Sequence, residues 1–393
     1  MSSNAPCPTF TPKHEWSFQN NAICGITLGA WLETLSQRWR HIDWRLYWQR
    51  VLFITLIAIF NSLLAIVESV LYGRTIERQK LNTRPLFVLG HPRTGTTLLH
   101  NLLALDTESF GWCSTFCAGF PSSFLWFERF KWLLAGMVDD KRPMDDMELS
   151  LDVPQEDEIG VAVLSAGRSP YFPLFFMTAE PSFRPFFTFL DAEPSDTARW
   201  VDSFKFLLRK LTVRAGGDDR RLLLKSPAHT ARVELLLQLF PDAQFVYIHR
   251  HPEVVYQSAV HMADTTYWYM YLARPTDAQI HDFILCQFEL LWQSYDDARK
   301  AIPPGRLVEL SYTELTADPA AAIARIYDVL GLPGFEERMR DRVVAHTRRP
   351  AVQGHRKNKF APLEPKLRAL VARRWAAYTE AWGYVWEGLE ADS

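Results

Sequence analysis

The sequence predicts an α/β fold, a three-layer sandwich in which helices cover both faces of a central parallel sheet, preceded by a hydrophobic helical N-terminal region. Two observations predict it. From about residue 80 onward, short apolar runs alternate with longer segments of helical periodicity, as strands do when crossover helices connect them. The runs are continuously apolar and do not alternate with polar residues, which indicates strands buried on both faces.

Four strands are predicted, each after a turn signal. Pro85 and Gly90 bound the first run, a charged turn precedes the second, and proline-containing turns precede the third and fourth. The segment 106–217, between the first and second runs, is rich in Phe, Pro and acidic residues, and we interpret it as an insertion on the substrate side. The predicted strands cover residues 86–89, 222–224, 245–248 and 307–310.

Before the predicted sheet, residues 51–72 form an exceptionally apolar stretch. As a helix its 22 residues would extend roughly 33 Å, close to the thickness of a bilayer's hydrocarbon core. Asn61 and Glu68 interrupt it and would be costly in hydrocarbon unless they pair, and basic residues flank it equally on both sides. We therefore predict membrane association. A spanning helix, a hairpin or amphipathic element in the bilayer, and a buried helix remain alternatives.

Composition disfavours several other classes of protein. The formal net charge of −2 provides no cationic excess for binding a nucleic acid. The five cysteines are scattered and odd in number, which is a poor disulfide framework. Cys113 and Cys117 have the i, i+4 spacing of two ligands on one helical face, but no second Cys/His pair lies near them in sequence. We therefore expect buried thiols and no metal.

The most informative motif is GHPRTGTT at residues 90–97, between the first predicted strand and a helical segment that begins near Thr96. The backbone N–H groups of such a loop and the positive end of the helix bind anions. Arg93 adds a fixed charge, and Thr94, Thr96 and Thr97 add hydroxyl donors. The pattern is P-loop-like, but Thr96 occupies the position of the phosphate-binding lysine. The loop therefore suits an anion of lower charge than a triphosphate, such as a 5′-phosphosulfate.

Residues 92–97, PRTGTT, resemble the 5′-phosphosulfate loop P-[KR]-[ST]-G-T-T of the sulfotransferases that use 3′-phosphoadenosine-5′-phosphosulfate (PAPS). The similarity is to bacterial-type enzymes, including mycobacterial lipid sulfotransferases, and extends from about residue 30 to the C-terminus. It implies transfer of a sulfonate group from PAPS to an acceptor hydroxyl. Because the sequence has no internal repeat and no low-complexity linker, we predict one P-loop-like catalytic domain over residues 80–393. The apolar stretch predicts that a helical, membrane-associated region over residues 1–79 precedes it. The residues that would bind the donor here are Arg93, Thr94, Gly95, Thr96 and Thr97.

A second phosphate site is predicted where the third strand ends. Arg250 follows that strand, a proline opens the next helix, and Ser258 lies about two turns into it. In the sulfotransferases this pattern binds the 3′-phosphate of PAPS, so the resemblance implies charge-assisted hydrogen bonds from Arg250 and a hydroxyl donor from Ser258. Weaker matches add Tyr312 beside the adenine, and Arg356 and Lys357 in a basic segment that closes over the 3′-phosphate.

Sulfonate transfer requires a base for the acceptor hydroxyl and positive charge for the sulfonyl oxygens and the leaving group. Arg93 and Lys225, which comes off the second strand, are placed to supply the charge. The resemblance leaves the base open. His229 follows that strand, two residues after the histidine position of cytosolic sulfotransferases, where this sequence has a proline. An acidic run in the insertion offers Glu156 or Glu158, and we favour these carboxylates over His229.

The acceptor is not specified by a motif. Two aromatic segments, residues 183–189 and 267–271, favour an apolar acceptor if they line its pocket. Together with the apolar stretch they predict a lipid or another lipophilic small molecule with a hydroxyl group, borne by a membrane. A carbohydrate hydroxyl is the second possibility, nucleic acid is not expected, and the oligomeric state stays open.

Two other functions are compatible with part of this pattern. A P-loop nucleotide kinase or NTPase would need the missing lysine, and a non-catalytic membrane-anchored nucleotide-binding protein would keep the site without turnover. For localisation we expect a membrane-associated protein with a cytoplasmic catalytic domain. A Golgi-type lumenal enzyme and a fully soluble cytoplasmic enzyme are the alternatives.

Overall fold

The computed structural model describes residues 7–137, 150–349 and 360–386. Its strands are β1 (Leu86–Leu89), β2 (Phe110–Trp112), β3 (Arg221–Lys225), β4 (Gln244–His249) and β5 (Leu307–Ser311). They form one parallel sheet in the order β2–β3–β1–β4–β5. Four of them coincide with predicted strands. The fifth, β2, lies inside the segment interpreted as an insertion and lengthens the sheet at one edge.

Both faces of the sheet are buried, which confirms the predicted three-layer sandwich. In β1, Phe87 and Leu89 belong to one hydrophobic cluster, and Leu86 and Val88 belong to another. The division follows from strand geometry, because successive side chains point to opposite faces. All four side chains are fully buried. Burial on both faces is the physical reason for the continuously apolar runs in the sequence.

Helices form the outer layers of the sandwich. In chain order they are α1 (Leu28–Arg38), α2 (Trp44–Arg78), α3 (Thr96–Leu103), α4 (Thr115–Gly119), α5 (Phe124–Phe127), α6 (Asp157–Leu164), α7 (Pro194–Arg214), α8 (Val233–Leu239), α9 (Pro252–Thr266), α10 (Asp277–Ala298), α11 (Tyr312–Ala317), α12 (Pro319–Leu330), α13 (Arg340–Thr347), α14 (Pro365–Arg374) and α15 (Ala376–Ala381). Helices α3 and α12 pack in the cluster on one face of the sheet, and α7 and α10 pack in the cluster on the other.

The apolar stretch forms the middle of the long helix α2. Among the described residues, α2 is the one helix that is long and apolar enough to cross a membrane, by length and composition. One side of it is packed against the protein. Buried residues recur along that side at helical spacing, from Tyr47 through Ile54 and Asn61 to Glu68. The opposite side is exposed.

The two polar residues that interrupt the apolar stretch are both bonded within the protein. Asn61 Nδ2 donates to the carbonyl oxygens of Cys24 and Ile26, at 2.6 and 3.0 Å. Glu68 forms a buried ion pair with Lys210 of α7. Neither side chain faces outward, so neither polar group has to be accommodated in hydrocarbon if the exposed side of α2 meets lipid.

The N-terminal helices share their packing with the rest of the chain. The fully buried Arg50 of α2 donates to the backbone carbonyls of Trp268 and Tyr271 and, through its second terminal nitrogen, to the carbonyl of His14. Residues from before and after position 80 belong to one hydrophobic cluster. Helix α2 is thus attached to the body of the protein along its buried side by apolar packing, hydrogen bonds and an ion pair.

The Glu68–Lys210 pair can be tested by substitution. Glu68→Ala leaves the Lys210 ammonium buried without its counter-charge, and we expect the free energy of unfolding to fall by about 3–5 kcal/mol. The matched control is Glu68→Leu combined with Lys210→Met, which removes both charges and should recover most of the loss. Chemical denaturation followed by circular dichroism measures both variants. A single variant as stable as the unaltered protein would contradict the ion pair.

Candidate active site

Three adjacent strands end together at one edge of the sheet. Strand β1 lies between β3 and β4, with Val88 paired to Lys225 and Leu89 paired to Tyr247. Lys225 at the end of β3, the loop after β1 and Arg250 after β4 therefore lie side by side. The chain also reverses its direction of winding at β1, because β2 and β3 lie on one side of it and β4 and β5 on the other. Open parallel sheets bind ligands at this switch point.

The loop after β1 has the predicted strand–loop–helix course, with α3 beginning at Thr96. Gly90 has a φ of +141° and Gly95 a φ of +103°, which glycine adopts without strain. A Cβ on Gly90 would lie 2.6 Å from the carbonyl oxygen of Ile248, and one on Gly95 would lie 2.5 Å from a ring carbon of Tyr312. Both positions require glycine, because the loop is pressed against the end of β4 and the start of α11.

Arg93 adopts a left-handed backbone conformation, with a φ of +75°. For a residue with a side chain this costs about 1–3 kcal/mol, so neighbouring groups must stabilise it. Arg93 Nε donates to Ser258 Oγ of α9 at 2.9 Å, and Arg250 Nη1 donates to the Arg93 carbonyl oxygen at 3.2 Å. The two predicted phosphate sites are therefore in contact and open on one cluster of residues.

Arg250 is supported on two sides. Its guanidinium carbon lies 4.1 Å from the centroid of the Tyr312 ring, in a cation–π contact. The hydroxyl of Tyr378, on α15, accepts from the Arg250 backbone N–H and donates to its carbonyl, each at 3.0 Å. Burial lowers the pKa of Arg250, Tyr312 opposes that effect, and the like charge of Arg93 adds to it. Two guanidinium groups held this close together favour an anion between them.

On the β3 side of the loop, Lys225, Glu156 and Thr97 come together. Lys225 Nζ lies 2.8 Å from Glu156 Oε1 and 3.4 Å from Thr97 Oγ1. Tyr171 Oη donates to the other carboxylate oxygen of Glu156 at 2.5 Å. Burial and the charge of Glu156 raise the pKa of Tyr171 well above its ordinary value, so the phenol keeps its proton. The Lys225 side chain is 1% exposed and that of Glu156 is 20% exposed, so solvent reaches the carboxylate.

Glu158, the second carboxylate considered as a base, is enclosed. Arg232 Nη1 and Nη2 donate to its two oxygens at 2.6 and 2.9 Å, and both side chains are fully buried. Ser169 Oγ and Trp200 Nε1 donate further hydrogen bonds, at 2.7 and 3.3 Å. Each oxygen of Glu158 thus accepts two hydrogen bonds, which favours a structural role for this carboxylate.

His229, the third residue considered as a base, is enclosed as well. Its Nε2 lies 2.6 Å from Asp157 Oδ2, neither side chain has exposed surface, and the rings of Phe87 and Phe204 flank the imidazole. Burial opposes ionisation of Asp157, but the contact with His229, a backbone hydrogen bond and the charge of His100 together outweigh it, so the pKa of Asp157 lies below its ordinary value. Of the three residues, Glu156 is the one whose side chain has exposed surface.

Several contacts in the candidate site are made by residues that no motif in the sequence indicates. Tyr171 returns to Glu156 because the chain turns at Gly167, which has a φ of +92°. The glycine predicts a turn, but it does not predict which residues the chain contacts after the turn. Arg356 and Lys357 lie outside the described residues. Thr230 Oγ1 accepts a hydrogen bond from the Gly90 N–H of the loop at 2.8 Å. Contacting residues that were not predicted are Tyr171, Thr230, Arg232 and Tyr378.

A glycine-containing anion loop beside a second cationic strand end is the arrangement of an α/β protein that binds a phosphorylated nucleotide. The chain belongs to the sulfotransferase family, because residues 85–337 match the model of that family. It is 30% identical over 363 residues to the omega-hydroxy-beta-dihydromenaquinone-9 sulfotransferase Stf3 of Mycobacterium bovis and that of Mycobacterium tuberculosis, covering 92% of this chain and 90% of each relative.

Solved structures show the same fold. Sulfotransferase STF1 from Mycobacterium tuberculosis superimposes with a TM-score of 0.60 at 20% identity, covering 89% of this chain and 91% of that one. Sulfotransferase STF9 from Mycobacterium avium gives a TM-score of 0.60 at 21% identity, covering 84% and 83%. The protein is therefore a sulfotransferase, and PAPS is the sulfonate donor of its family. The predicted family, fold and enzyme class are confirmed.

The role of Arg250 can be tested with the reaction product 3′-phosphoadenosine 5′-phosphate (PAP). We expect PAP to raise the melting temperature more than 5′-AMP or ATP does, because a ligand bound only to the folded state stabilises it in proportion to its affinity. Arg250→Ala should weaken PAP binding about 10- to 100-fold by removing charge-assisted hydrogen bonds, with little effect on 5′-AMP.

The matched control for this experiment is Arg325→Ala, which removes an exposed arginine on α12. It should leave the response to PAP unchanged. Equal shifts with PAP and 5′-AMP in the unaltered protein would overturn the assignment of Arg250 to the 3′-phosphate.

Proposed function

We propose that this sulfotransferase transfers a sulfonate group from PAPS to a hydroxyl on a long apolar acceptor borne by a membrane. The observation that carries the proposal is the 30% identity, over 92% of the chain, to enzymes named for omega-hydroxy-beta-dihydromenaquinone-9. The identity extends well beyond the donor loop, so it includes the segments that surround the acceptor side. A hydroxylated isoprenoid lipid is the acceptor class that this relationship favours.

A cavity with phenylalanine in its walls supports an acceptor that has an apolar part. Its volume is about 210 Å³, and Phe172, Phe183 and Phe186 line it together with charged residues, among them Arg38 and Asp196. Phe172 follows Tyr171, whose hydroxyl contacts Glu156, so the cavity is close to the proposed base. Sites for whole small molecules usually measure about 300–1,000 Å³. This cavity therefore suits one end of a long molecule, with the remainder of the acceptor outside it.

The donor's anionic groups match the cationic residues of the site. We assign Arg93 and the loop after β1 to the 5′-phosphosulfate, and Arg250 with Ser258 to the 3′-phosphate. The hydrogen bonds that already join these residues keep the two ends of one nucleotide site at a fixed distance. Tyr312, which lies under Arg250 and against the loop, is assigned to the adenosine side. PAPS supplies a sulfonyl group on a phosphate that leaves readily.

We assign the base to Glu156. As the acceptor oxygen bonds to sulfur and the bond from sulfur to the phosphate oxygen breaks, the hydroxyl proton passes to this carboxylate. Tyr171 and Lys225 each bond one oxygen of Glu156 and orient it. Lys225 also lies beside Thr97 of the loop, where its charge would stabilise the negative charge that develops on the leaving group. Positioning and electrostatics then supply most of the acceleration.

We further propose that the enzyme associates with a membrane. In this proposal residues 1–79 form the N-terminal region, and residues 80–393, which follow it in the sequence, form a cytoplasmic catalytic domain. The apolar exposed side of α2 and the lipid named for the relatives support the association. The family match begins at residue 85, close to the proposed boundary. The sequence contains no N-x-[ST] site, which favours the cytoplasm over a secretory lumen.

Two adjacent carboxylates provide a matched test of the base. Glu156→Gln should lower turnover by about 10²- to 10⁴-fold, because it removes a proton acceptor and keeps the shape of the side chain. It should lower the melting temperature less than Glu158→Gln does, because Glu156 is partly exposed and the amide oxygen of glutamine can still accept a hydrogen bond from Lys225. Glu158→Gln should instead lower the free energy of unfolding by about 3–5 kcal/mol, because Arg232 loses its buried counter-charge. Turnover that survives in the first variant would exclude Glu156 as the base.

The acceptor class can be tested by transfer of radiolabelled sulfonate from PAPS. We expect label on polyprenyl alcohols in detergent and none on glucose, because the relatives are named for a lipid acceptor and a sugar would lose hydration against the phenylalanine walls of the cavity. The Glu156→Gln variant serves as the low-activity control, which measures labelling that does not depend on the proposed base. Label on glucose and none on any polyprenyl alcohol would replace the lipid proposal with a carbohydrate one.

A further inference from the structure

The exposed large hydrophobic side chains are concentrated on one surface. Of the 21 among the described residues, 11 lie on α2 and 7 more lie on neighbouring segments of the chain, including α1 and residues 128–137. Contiguous apolar surface of this size marks an interaction site on a soluble protein. We call the exposed side of α2 the apolar face. Its most exposed members include Leu56, Leu63, Ile66, Val70 and Leu71.

The apolar face continues onto neighbouring segments. Phe60 of α2 packs edge-on against Phe127 of α5, with ring centroids 6.1 Å apart. Trp126 Nε1 donates to the carbonyl of Leu64 at 3.0 Å. These contacts join α2 to the following segment, where Trp132 is 69% exposed. The surface is therefore wider than one helix, and its side chains project from a rigid body.

The buried side of α2 prevents it from crossing a bilayer. Arg50, Asn61 and Glu68 all lie on that side and bond to other parts of the protein. For lipid to surround α2, these contacts would have to break and leave a guanidinium, an amide and a carboxylate facing hydrocarbon. Each such group costs several kcal/mol. The helix can meet lipid with its apolar face alone.

We propose that the apolar face docks on one leaflet of an anionic lipid bilayer, with α2 lying parallel to the membrane plane and not spanning it. Over 35 residues the helix extends roughly 50 Å along the surface. An in-plane helix of this kind inserts its apolar side about 5–10 Å, to the boundary between headgroups and acyl chains. The occupant is thus a lipid surface and not a single lipid molecule.

Cations at both ends of α2 complement anionic headgroups. Arg40 and Arg45 are exposed near its start, and Arg74 and Arg78 are exposed in its last turns. Beyond its end, a cleft of about 450 Å³ has three cationic side chains among its otherwise uncharged lining residues. Basic residues near a membrane surface contribute about 1 kcal/mol each when the leaflet is anionic. The cationic residues of the cleft are Lys80, Lys205 and Arg209.

The same cations disfavour a second copy of the chain as the occupant. A two-fold dimer through the apolar face would place the same patch on both partners. In either direction of pairing, the cationic ends of α2 would meet cationic ends, and like charges at an interface are costly. Anionic headgroups remove that cost, so the charge pattern favours lipid.

The docked orientation also places the active site close to the membrane. Arg50 of α2 holds the segment that contains Trp268 and Tyr271. Burial raises the pKa of Tyr267, which begins that segment, while the charge of Arg93 lowers this pKa and that of Glu156 raises it. The segment 267–271 thus connects the buried side of α2 to the active site. Docking makes the proposed membrane association specific, and delivery of a lipid acceptor along this route rests in addition on the proposed acceptor.

Vesicle flotation tests the docking. The unaltered protein should float with vesicles of phosphatidylcholine and phosphatidylglycerol, and less with phosphatidylcholine alone. Leu56→Glu combined with Leu63→Glu should weaken binding at least about tenfold, because each leucine that becomes buried in the lipid on docking contributes about 1.5–3 kcal/mol. Val329→Glu is the matched control, since Val329 is 41% exposed on α12, outside the apolar face and its neighbouring segments. It should bind like the unaltered protein.

Extraction with alkaline carbonate tests the orientation. A protein docked on one leaflet is released, and retention in the membrane pellet would overturn the in-plane arrangement. Unchanged vesicle binding by the double variant would overturn the docking. So would a different result for the unaltered protein: no vesicle binding, and in light scattering a dimer that the double substitution disrupts. The double variant should still sulfonate a short-chain alcohol in solution. If vesicles bind but no alcohol is sulfonated, the acceptor proposal fails and the docking stands.

Discussion

The contact between the ends of β1 and β4 is the constraint on which the active site depends. Arg250 donates to the carbonyl of Arg93, and the left-handed backbone at Arg93 directs its side chain to Ser258. Because β1 and β4 are hydrogen-bonded neighbours, the two arginines cannot separate unless the strands unpair. The sheet thus holds two like charges at a fixed distance. An anion that binds between them relieves their repulsion without any rearrangement of the protein, which is electrostatic preorganisation.

Three consecutive carboxylates illustrate how local geometry separates chemical roles. Glu156 precedes α6, and Asp157 and Glu158 are its first two residues. Successive side chains on a helix point about 100° apart, so each carboxylate meets a different environment. Asp157 meets His229, Glu158 meets Arg232, and Glu156 meets Lys225 at the solvent side. The two buried pairs fix the start of α6 against β3 and the turn after it. Rigidity of that kind is what a base needs if it is to stay aligned with an acceptor.

The sheet and the proximity of the two segments predicted to bind phosphate were predictable, because their signals are local. A glycine loop after an apolar run, and an arginine at the end of another, require only that parallel strands end together. Strand β2 was not predicted, since three residues within a Phe-rich segment carry too little pattern to be distinguished. Tyr171 and Arg232 were not predicted as site residues because their positions depend on how the segment after α6 folds back. That path is decided by tertiary packing, and a single sequence does not encode it in any short motif.

Helix α2 shows why an apolar stretch alone could not decide between spanning and lying on a membrane. Mean hydropathy over a window of residues counts both sides of a helix equally. Residues that contact the rest of the protein, by contrast, recur about every 3.6 residues on one side of the helix. Arg50, Asn61 and Glu68 are separated by 11 and 7 residues, close to three and two helical turns, so they fall on one stripe. An ordinary in-plane helix presents its polar side to water. Here the polar stripe bonds to the catalytic body, which takes the place of water, so α2 can be apolar over most of its length and still have one side suited to lipid.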